Sequence, residues 1–243
     1  MPGTGRPRRR AWLRARRGPP GLWLAPVLLA LAAAAPLPGV GLSDGRQAVS
    51  SAAAPWSALA RLQVPGMARC TAVMVAPRIA LTAGHCLWSD RLLRWVRPDT
   101  VYVLAGYERG RFTGLARAQT YRIAPGNDVA EIILDRPLAN PVLGFAWAPP
   151  PGTPAMLGGY NQDRNEIIEA DTRCRILSDN GLLVRHDCEG THGTSGAPLL
   201  VRGSDGIWQI GGIQTAAFVG QRGGIAVAMA SLRRWLYPQE APP

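Results

Sequence analysis

Short apolar runs, rich in β-branched residues and interrupted by Gly, Pro, Asn and Asp, make up the chain from about residue 55 onward. Runs of this length and composition predict β-strands. The clearest runs are 70–75, 79–82, 101–105, 120–123, 129–134, 155–157, 173–177, 182–186, 197–201, 208–213 and 224–227. Many short strands at close spacing are typical of a sandwich or barrel rather than of alternating βαβ units. The pattern therefore predicts an all-β fold.

Helical periodicity is scarce in this chain. The best candidate is 230–237, where Leu232, Trp235 and Leu236 have helical spacing and Pro238 ends the run. We expect one short helix at the C-terminal end of the fold.

Proline and glycine crowd residues 140–152, between one group of predicted strands and the next. This composition predicts a linker at 141–152, an N-terminal half at 50–140 and a C-terminal half at 153–238. Each half has about 90 residues, which alone would bury only a modest core. We therefore expect the halves to pack together and to leave a cleft at their junction.

Basic residues are concentrated at the N-terminus of this 243-residue chain. The chain has 27 Lys plus Arg against 16 Asp plus Glu, a net charge of +11, and every basic residue is Arg. Such a surplus can indicate a nucleic-acid partner. Seven of the arginines lie in the first twenty residues, however, and without them the charge is 11 − 7 = +4. We expect no nucleic-acid partner.

An apolar run of fifteen residues, 21–35, follows these arginines and is itself followed by Pro, Gly and Ser. A basic stretch, a short apolar stretch and small residues predict a signal peptide, here assigned with a short pro-segment to 1–41. An uncleaved anchor is the alternative, but a spanning helix needs about 20 apolar residues. Residues 9–14 match the twin-arginine export pattern, but a chance match is equally plausible in so arginine-rich a stretch. The export route and the cleavage site therefore both stay open. We expect a secreted or periplasmic protein without a membrane anchor.

Export bears on the four cysteines, because an even number in an exported chain favours disulfides. Four cysteines allow three pairings, and sequence neighbourhood favours Cys70–Cys86 and Cys174–Cys188. Each bond would close a loop of about 15 residues and contribute roughly 3 kcal/mol. A zinc site is the competing interpretation, but no Cys-x-x-Cys pair occurs. We predict no metal.

Three stretches contain residue types that an activated hydroxyl nucleophile requires. In residues 81–86, His85 follows a turn of small residues. In 127–134, Asp128 directly precedes an apolar strand. In 193–198, Ser195 lies in a glycine-containing turn.

The three side chains suit three roles in acyl transfer. A serine hydroxyl needs a base to take its proton, and histidine, whose unperturbed pKa is about 6.5, suits this task. His85 is the candidate base. A carboxylate, here Asp128, would hold the imidazole in the required tautomer. Turn glycines beside Ser195 would let the N–H groups of Gly193 and Ser195 form an oxyanion hole.

These motifs together resemble those of the trypsin-like (chymotrypsin-fold) serine proteases, particularly the compact bacterial branch that includes glutamyl endopeptidases. The similarity covers about residues 55–238 and includes Thr-Ala-Gly-His-Cys at 82–86, Asp-Val-Ala-Glu at 128–131, the serine turn and Gly-Ile-Gln-Thr at 212–215, in the family's order. The resemblance implies two packed antiparallel six-stranded β-barrels with a short C-terminal helix. It also implies a monomeric serine endopeptidase that acts on polypeptides without a cofactor.

The chain departs from the family at the residue before the predicted nucleophile. Thr194 stands where many members have an Asp that pairs with a newly cut N-terminal amine, and no Ile-Val-Gly-Gly sequence is present. We expect activity that does not depend on this ion pair, with a pro-segment ending near Arg46 still open to removal.

By resemblance, the substrate pocket includes Glu189, Gln214, Thr215 and Ala217. Glu189 lies six positions before Ser195, where an acid would suit a basic substrate side chain; the alternative is a solvated turn residue beside Cys188. Glutamyl-specific relatives have a histidine where Gln214 stands, which argues against acidic specificity. Thr215 either donates a hydrogen bond to the predicted catalytic acid or is an ordinary strand residue.

Two other functions compete with the peptidase interpretation. A catalytically silent binding module on the same fold is the first, and the complete set of three residues argues against it. An esterase of another fold is the second, but it would require a Gly-x-Ser-x-Gly elbow with the serine first in chain order. Neither feature is present.

Overall fold

The computed structural model describes residues 37–240, which form two closed antiparallel β-barrels of six strands each. The predicted all-β class, the two barrels and the short C-terminal helix are confirmed. The greater part of the predicted leader, residues 1–36, lies outside the described residues.

Sixteen strands and one α-helix follow one another along the described chain, joined by turns and short 3₁₀ segments. They are β1 Gln47–Val49, β2 Leu59–Val64, β3 Ala68–Ala76, β4 Ile79–Ala83, β5 Trp88–Ser89, β6 Arg94–Trp95, β7 Tyr102–Ala105, β8 Gly114–Ile123, β9 Val129–Leu134, β10 Gly144–Phe145, β11 Pro154–Gly159, β12 Ile168–Asp179, β13 Leu183–His186, β14 Pro198–Arg202, β15 Trp208–Ala217, β16 Gly224–Ala228 and α1 Met229–Leu236.

The first barrel has the strand order β2-β3-β4-β9-β8-β7. Successive residues of a strand point to opposite faces, so one strand can contribute to two cores. On β3, for example, Ala72 and Met74 pack inside the barrel, whereas Val73 packs outside it against the second barrel. This part of β3 is therefore apolar on both faces.

The second barrel has the order β12-β11-β14-β15-β16-β13 and closes through pairing of β12 with β13. Its interior contains Leu157, Ile176, Val184 and Leu199, all buried. Strand β1 adds to the outer edge by pairing Gln47–Val49 with the start of β12. The chain before the first barrel is thus fastened to the second.

A third apolar cluster joins the barrels. Leu59 and Leu81 from the first barrel pack in it with Ile213 from the second barrel and Met229 from α1. Tyr160 is fully buried there, and its hydroxyl donates a hydrogen bond to the Tyr107 carbonyl oxygen across the junction at 3.0 Å. The cleft at this junction therefore has rigid walls.

The four cysteines form the disulfides Cys70–Cys86 and Cys174–Cys188, the pairing that sequence neighbourhood favours. The first joins β3 to the turn after β4, and the second joins β12 to the loop after β13. Within residues 37–240, no helix has the length and hydropathy that crossing a bilayer requires.

Candidate active site

His85 lies at the end of β4, where Ala83 gives way to a one-turn 3₁₀ helix, Gly84–Leu87. Its Nδ1 lies 2.6 Å from Oδ2 of Asp128, and its backbone N–H donates to Oδ1 of the same carboxylate at 2.7 Å. Both oxygens of Asp128 thus bind one residue. Because an ionised carboxylate can only accept, Nδ1 carries the proton and Nε2 is left with a free lone pair.

Asp128 reaches His85 because β4 and β9 are neighbours in the first barrel. Ala83 pairs with Val129, and the Gly84 N–H donates to the Asp128 carbonyl oxygen at 3.1 Å. A Cβ at Gly84 would lie 3.0 Å from Oδ1 of Asp128, so glycine leaves room for the carboxylate. The side chain of Asp128 is 41% exposed, so water also reaches the carboxylate.

Ser195 lies in a turn between Gly193 and Gly196, which have φ angles of +94° and +84°. A Cβ at Gly193 would overlap the Tyr160 carbonyl oxygen, and one at Gly196 would overlap the Thr71 carbonyl oxygen. Left-handed backbone and close approach both require glycine at these positions. The Gly-x-Ser-Gly pattern therefore has a steric cause.

Thr71, on β3 of the first barrel, holds this turn of the second barrel in place. Its N–H donates to the Ser195 carbonyl oxygen at 2.9 Å, and its hydroxyl donates to the Gly193 carbonyl oxygen at 2.9 Å. The next residue back, Cys70, is disulfide-bonded to Cys86, the neighbour of His85. One short segment thus ties the serine turn to the histidine turn. Sequence reasoning missed Thr71, although its place beside Cys70 was a usable signal.

Two cavities meet at these residues, and both are lined by His85 and Ser195. The first, about 450 Å³, extends along the 63–70 segment and past Gln162. The second, about 500 Å³, extends toward Gln214 on β15. His192 lies on the rim of both, exposed to solvent. The cleft is therefore divided into two parts by the histidine and the serine.

The second cavity includes three of the four residues expected to form the substrate pocket, Gln214, Thr215 and Ala217. The Thr215 hydroxyl donates to the Ile225 carbonyl oxygen at 3.4 Å, as an ordinary strand residue would. Within the described residues, the lining of this cavity contains no acidic side chain.

Glu189 is the one of the four that does not line this cavity. It is expected from the sequence to be either a pocket acid that binds a basic substrate side chain or a solvated turn residue, and both expectations are wrong. It is only 2% exposed and does not line the cavity, so it is neither a pocket floor nor a solvated turn residue. Its Oε1 accepts the Gly41 N–H at 2.9 Å and its Oε2 accepts the Gly45 N–H at 2.5 Å. The carboxylate thus binds the chain that precedes the first barrel.

His186 lies behind the second cavity, fully buried on β13. Its Nδ1 accepts the Cys188 N–H at 3.2 Å, so its Nε2–H donates to Oε1 of Gln214 at 2.6 Å. The Gln214 amide in turn donates to the Ala216 carbonyl oxygen at 2.8 Å. Burial lowers the pKa of His186 to about 4, so the imidazole is neutral at neutral pH. The hydrogen bond from His186 thus fixes the orientation of the Gln214 side-chain amide, which lines the second cavity.

Acid should destabilise the protein through His186. An unfolded histidine has a pKa of about 6.5, so the unfolded chain binds the extra proton first as the pH falls. The free energy of unfolding should be fully retained above that pH and fall toward pH 4 by up to about 1.4 kcal/mol per unit. Urea unfolding at pH 7 and pH 5 measures this loss. The His186→Gln variant should lose less over that interval; an equal loss in both proteins would contradict the assignment.

A family model described as Trypsin matches residues 44–236, most of the chain and all twelve barrel strands. The chain belongs to the trypsin family. Membership confirms the resemblance that the ordered motifs indicate.

Individual trypsin-family relatives are distant. The Cercarial protease of Schistosoma mansoni is 26% identical over 164 residues, which is 58% of this chain and 61% of the relative. This chain thus spans about three fifths of the length of that curated protein. The structure is similar to that of a Glu endopeptidase in complex with MPD, with a TM-score of 0.69 and 19% identity over 83% of this chain and all of the other. It is also similar to the VesB protease of Vibrio cholerae, with a TM-score of 0.65 and 18% identity over 80% of this chain and 66% of the other.

This trypsin-family chain lacks an acid at the position before Ser195. The hydroxyl of Thr194 donates to the Thr191 carbonyl oxygen at 2.6 Å, and its N–H donates to the same carbonyl oxygen at 3.0 Å. Thr194 is buried, and its side chain stabilises the turn through a neutral hydrogen bond.

Proposed function

We propose that this chain is an exported serine endopeptidase that hydrolyses peptide bonds through His85, Asp128 and Ser195. The observation that carries the proposal is the two-point bond between Asp128 and His85 at the edge of a cleft that Ser195 also lines. Trypsin-family membership supports it. The two disulfides and the arginine-rich leader sequence support export.

In the first half of the reaction, Ser195 Oγ attacks the carbonyl carbon of the scissile peptide while Nε2 of His85 takes the hydroxyl proton. Asp128 holds the Nδ1 proton and stabilises the imidazolium. The imidazolium then gives its proton to the leaving amine, and the acyl group stays on Ser195. In the second half, water attacks the ester with His85 again as the base, which releases the acid and restores the enzyme.

The N–H groups of Gly193 and Ser195 would bind the oxyanion of both tetrahedral intermediates. Among the hydrogen bonds of residues 37–240, neither group donates to an acceptor, whereas the Thr194 and Gly196 N–H groups donate to Thr191 and Gln214. Two uncommitted donors beside the nucleophile suit this role, and losing one such donor typically costs about 10²- to 10³-fold in rate.

Labelling with a fluorophosphonate probe tests the assignment, because the probe reacts with an activated serine. We expect one covalent adduct, located on Ser195, and cleavage of a mixed peptide library by the same preparation. A well-folded protein that neither reacts with the probe nor cleaves the library would instead be a catalytically silent module on the protease fold.

The residue before the scissile bond should not be Arg or Lys. A guanidinium or ammonium group in the second cavity would meet no acidic side chain from the described lining, and burying an unpaired charge is costly. Peptide-library profiling should show cleavage after Arg or Lys at least about tenfold less efficient than after the best uncharged residue. Dominant cleavage after Arg or Lys would contradict the uncharged pocket.

A further inference from the structure

Residues 37–46 pack against the second barrel, beside the second cavity, before the chain enters the first barrel. Pro38 lines the cavity itself. Gly39 is bonded on both sides: its N–H donates to the Phe218 carbonyl oxygen at 2.6 Å, and its carbonyl oxygen accepts the Gly223 N–H at 3.0 Å. These two partners flank the turn between β15 and β16. These backbone bonds therefore hold Pro38 in the wall of the cavity.

Gly39 is in close contact with the backbone of Gly190 and the side chain of Ala217. Its φ angle is +76°, and a Cβ on it would overlap the Gly190 carbonyl oxygen and lie 2.9 Å from the Ala217 Cβ. No side chain fits there without displacing backbone. The contact thus depends on glycine for space as well as for conformation.

Glu189 is a second anchor of the same segment. Its two buried carboxylate oxygens accept the N–H groups of Gly41 and Gly45. Charge-assisted hydrogen bonds of this kind are stronger than neutral ones, and a buried carboxylate that loses its donors is costly. Removal of the segment would leave such a carboxylate without its two donors.

Arg46 is the third anchor. Its side chain is fully enclosed, and its guanidinium donates to Asp44 at 2.9 Å and to Asp163 at 2.7 Å. A bond cut beside Arg46 would free one end of this network. Thr194 supplies no carboxylate that a new N-terminal ammonium group could bind in exchange.

We propose that residues 37–46 stay attached in the active enzyme as a wall of its substrate pocket, with Glu189 as the positioning residue that anchors them. This inference rests on the proposed endopeptidase function. It replaces two expectations, a leader that extends to residue 41 and removal of a pro-segment ending near Arg46, because Pro38 and Gly39 belong to the pocket wall and its backbone bonds.

Intact-mass analysis of the exported protein after fluorophosphonate labelling tests the proposal directly. We expect every labelled species to begin at or before Leu37. Labelled species that begin anywhere from Pro38 to Gln47 would overturn the inference and leave the endopeptidase function standing. Absence of any labelled species would overturn the proposed function, and this inference with it.

Two full-chain variants test whether the segment acts on the substrate. Gly39→Ala should raise KM for peptides about tenfold or more, with its reaction rate toward a small fluorophosphonate changed less than about threefold. Gly206→Ala is the matched control, because Gly206 has a φ of +77° and nothing within 4 Å of an added Cβ. It should leave KM unchanged. An unchanged KM in Gly39→Ala, or an equal loss of cleavage and labelling, would overturn the inference.

Glu189→Gln provides a second measurement, because an amide can accept from only one of the two glycines well. It should raise KM in the same way and make the segment before Gln47 more sensitive to limited proteolysis. Glu131→Gln is the control, since Glu131 is also a buried acid, 5% exposed, but pairs with Arg122 in the first barrel. Equal effects of the two substitutions on KM would show a general cost of neutralising a buried acid and would count against the anchor.

Discussion

Replacement of Ser195 by alanine should lower kcat/KM for peptide cleavage by about 10⁴- to 10⁶-fold. The hydroxyl is the group that forms the acyl bond in the proposed reaction, and no neighbouring group replaces it: the Thr194 hydroxyl is buried and donates to a carbonyl oxygen. Residual hydrolysis would come from substrate binding and the oxyanion hole alone.

The Ser195→Ala protein should fold normally, which makes the kinetic loss interpretable. The turn is held by the Ser195 carbonyl oxygen and by the Gly196 N–H, and neither group changes. Ser204→Ala is a suitable control, since Ser204 is exposed in a remote turn. Steady-state kinetics with one peptide and thermal unfolding of all three proteins supply the comparison. Retention of more than about a tenth of the activity by Ser195→Ala would refute its role as nucleophile.

Asp128→Asn should have the second largest effect, a fall of about 10³- to 10⁴-fold in kcat with little change in KM. The amide oxygen can still accept the backbone N–H of His85, but the amide nitrogen would face Nδ1. This arrangement favours the tautomer with the proton on Nε2, which cannot act as base toward Ser195. Because the carboxylate is 41% exposed, water can partly replace it, so we place the loss at or below the upper figure.

Asp135→Asn is the matched control for this substitution. Asp135 lies just beyond the other end of β9, has a partly exposed side chain and accepts the Arg117 N–H at 3.1 Å. Its loss should affect stability slightly and kcat hardly at all. Equal kcat values for wild type and Asp128→Asn would mean that the carboxylate does not orient the imidazole.

Much of the fold could be predicted, because strands that alternate between two apolar environments leave a clear pattern. The pattern was weakest where burial is unusual. Strand β2 has the sequence Leu-Ala-Arg-Leu-Gln-Val, and its Arg61 is buried, 2% exposed, through an ion pair with Glu166 and stacking over Tyr107. A charged residue in the run interrupts the apolar pattern by which a buried strand is predicted from sequence. Strand β8 extends well beyond its predicted part because its added polar positions face solvent. Strand β12 begins earlier than predicted because Glu169 and Asp171 are buried there, 2% and 3% exposed, through ion pairs with Arg164 and Arg222.

The candidate site was predictable to the extent that local turns create it. His85 and Ser195 lie in short motifs whose glycines have steric reasons that act over a few residues. Glu189 was misassigned because its partners, Gly41 and Gly45, are 148 and 144 positions away and contribute only backbone N–H groups. No side-chain pattern marks such a contact. Thr71 also bonds to backbone carbonyl oxygens of the other barrel, so only its place beside Cys70 marks it in the sequence.

Acid quenching during turnover of an activated ester, followed by mass spectrometry, tests the central claim most directly. We expect the wild-type protein to gain the mass of one acyl group, which a peptide map should locate on Ser195. The Ser195→Ala variant should form no such adduct. Turnover without any acyl adduct, or an adduct on His192 or Thr194 instead, would contradict covalent catalysis by this serine.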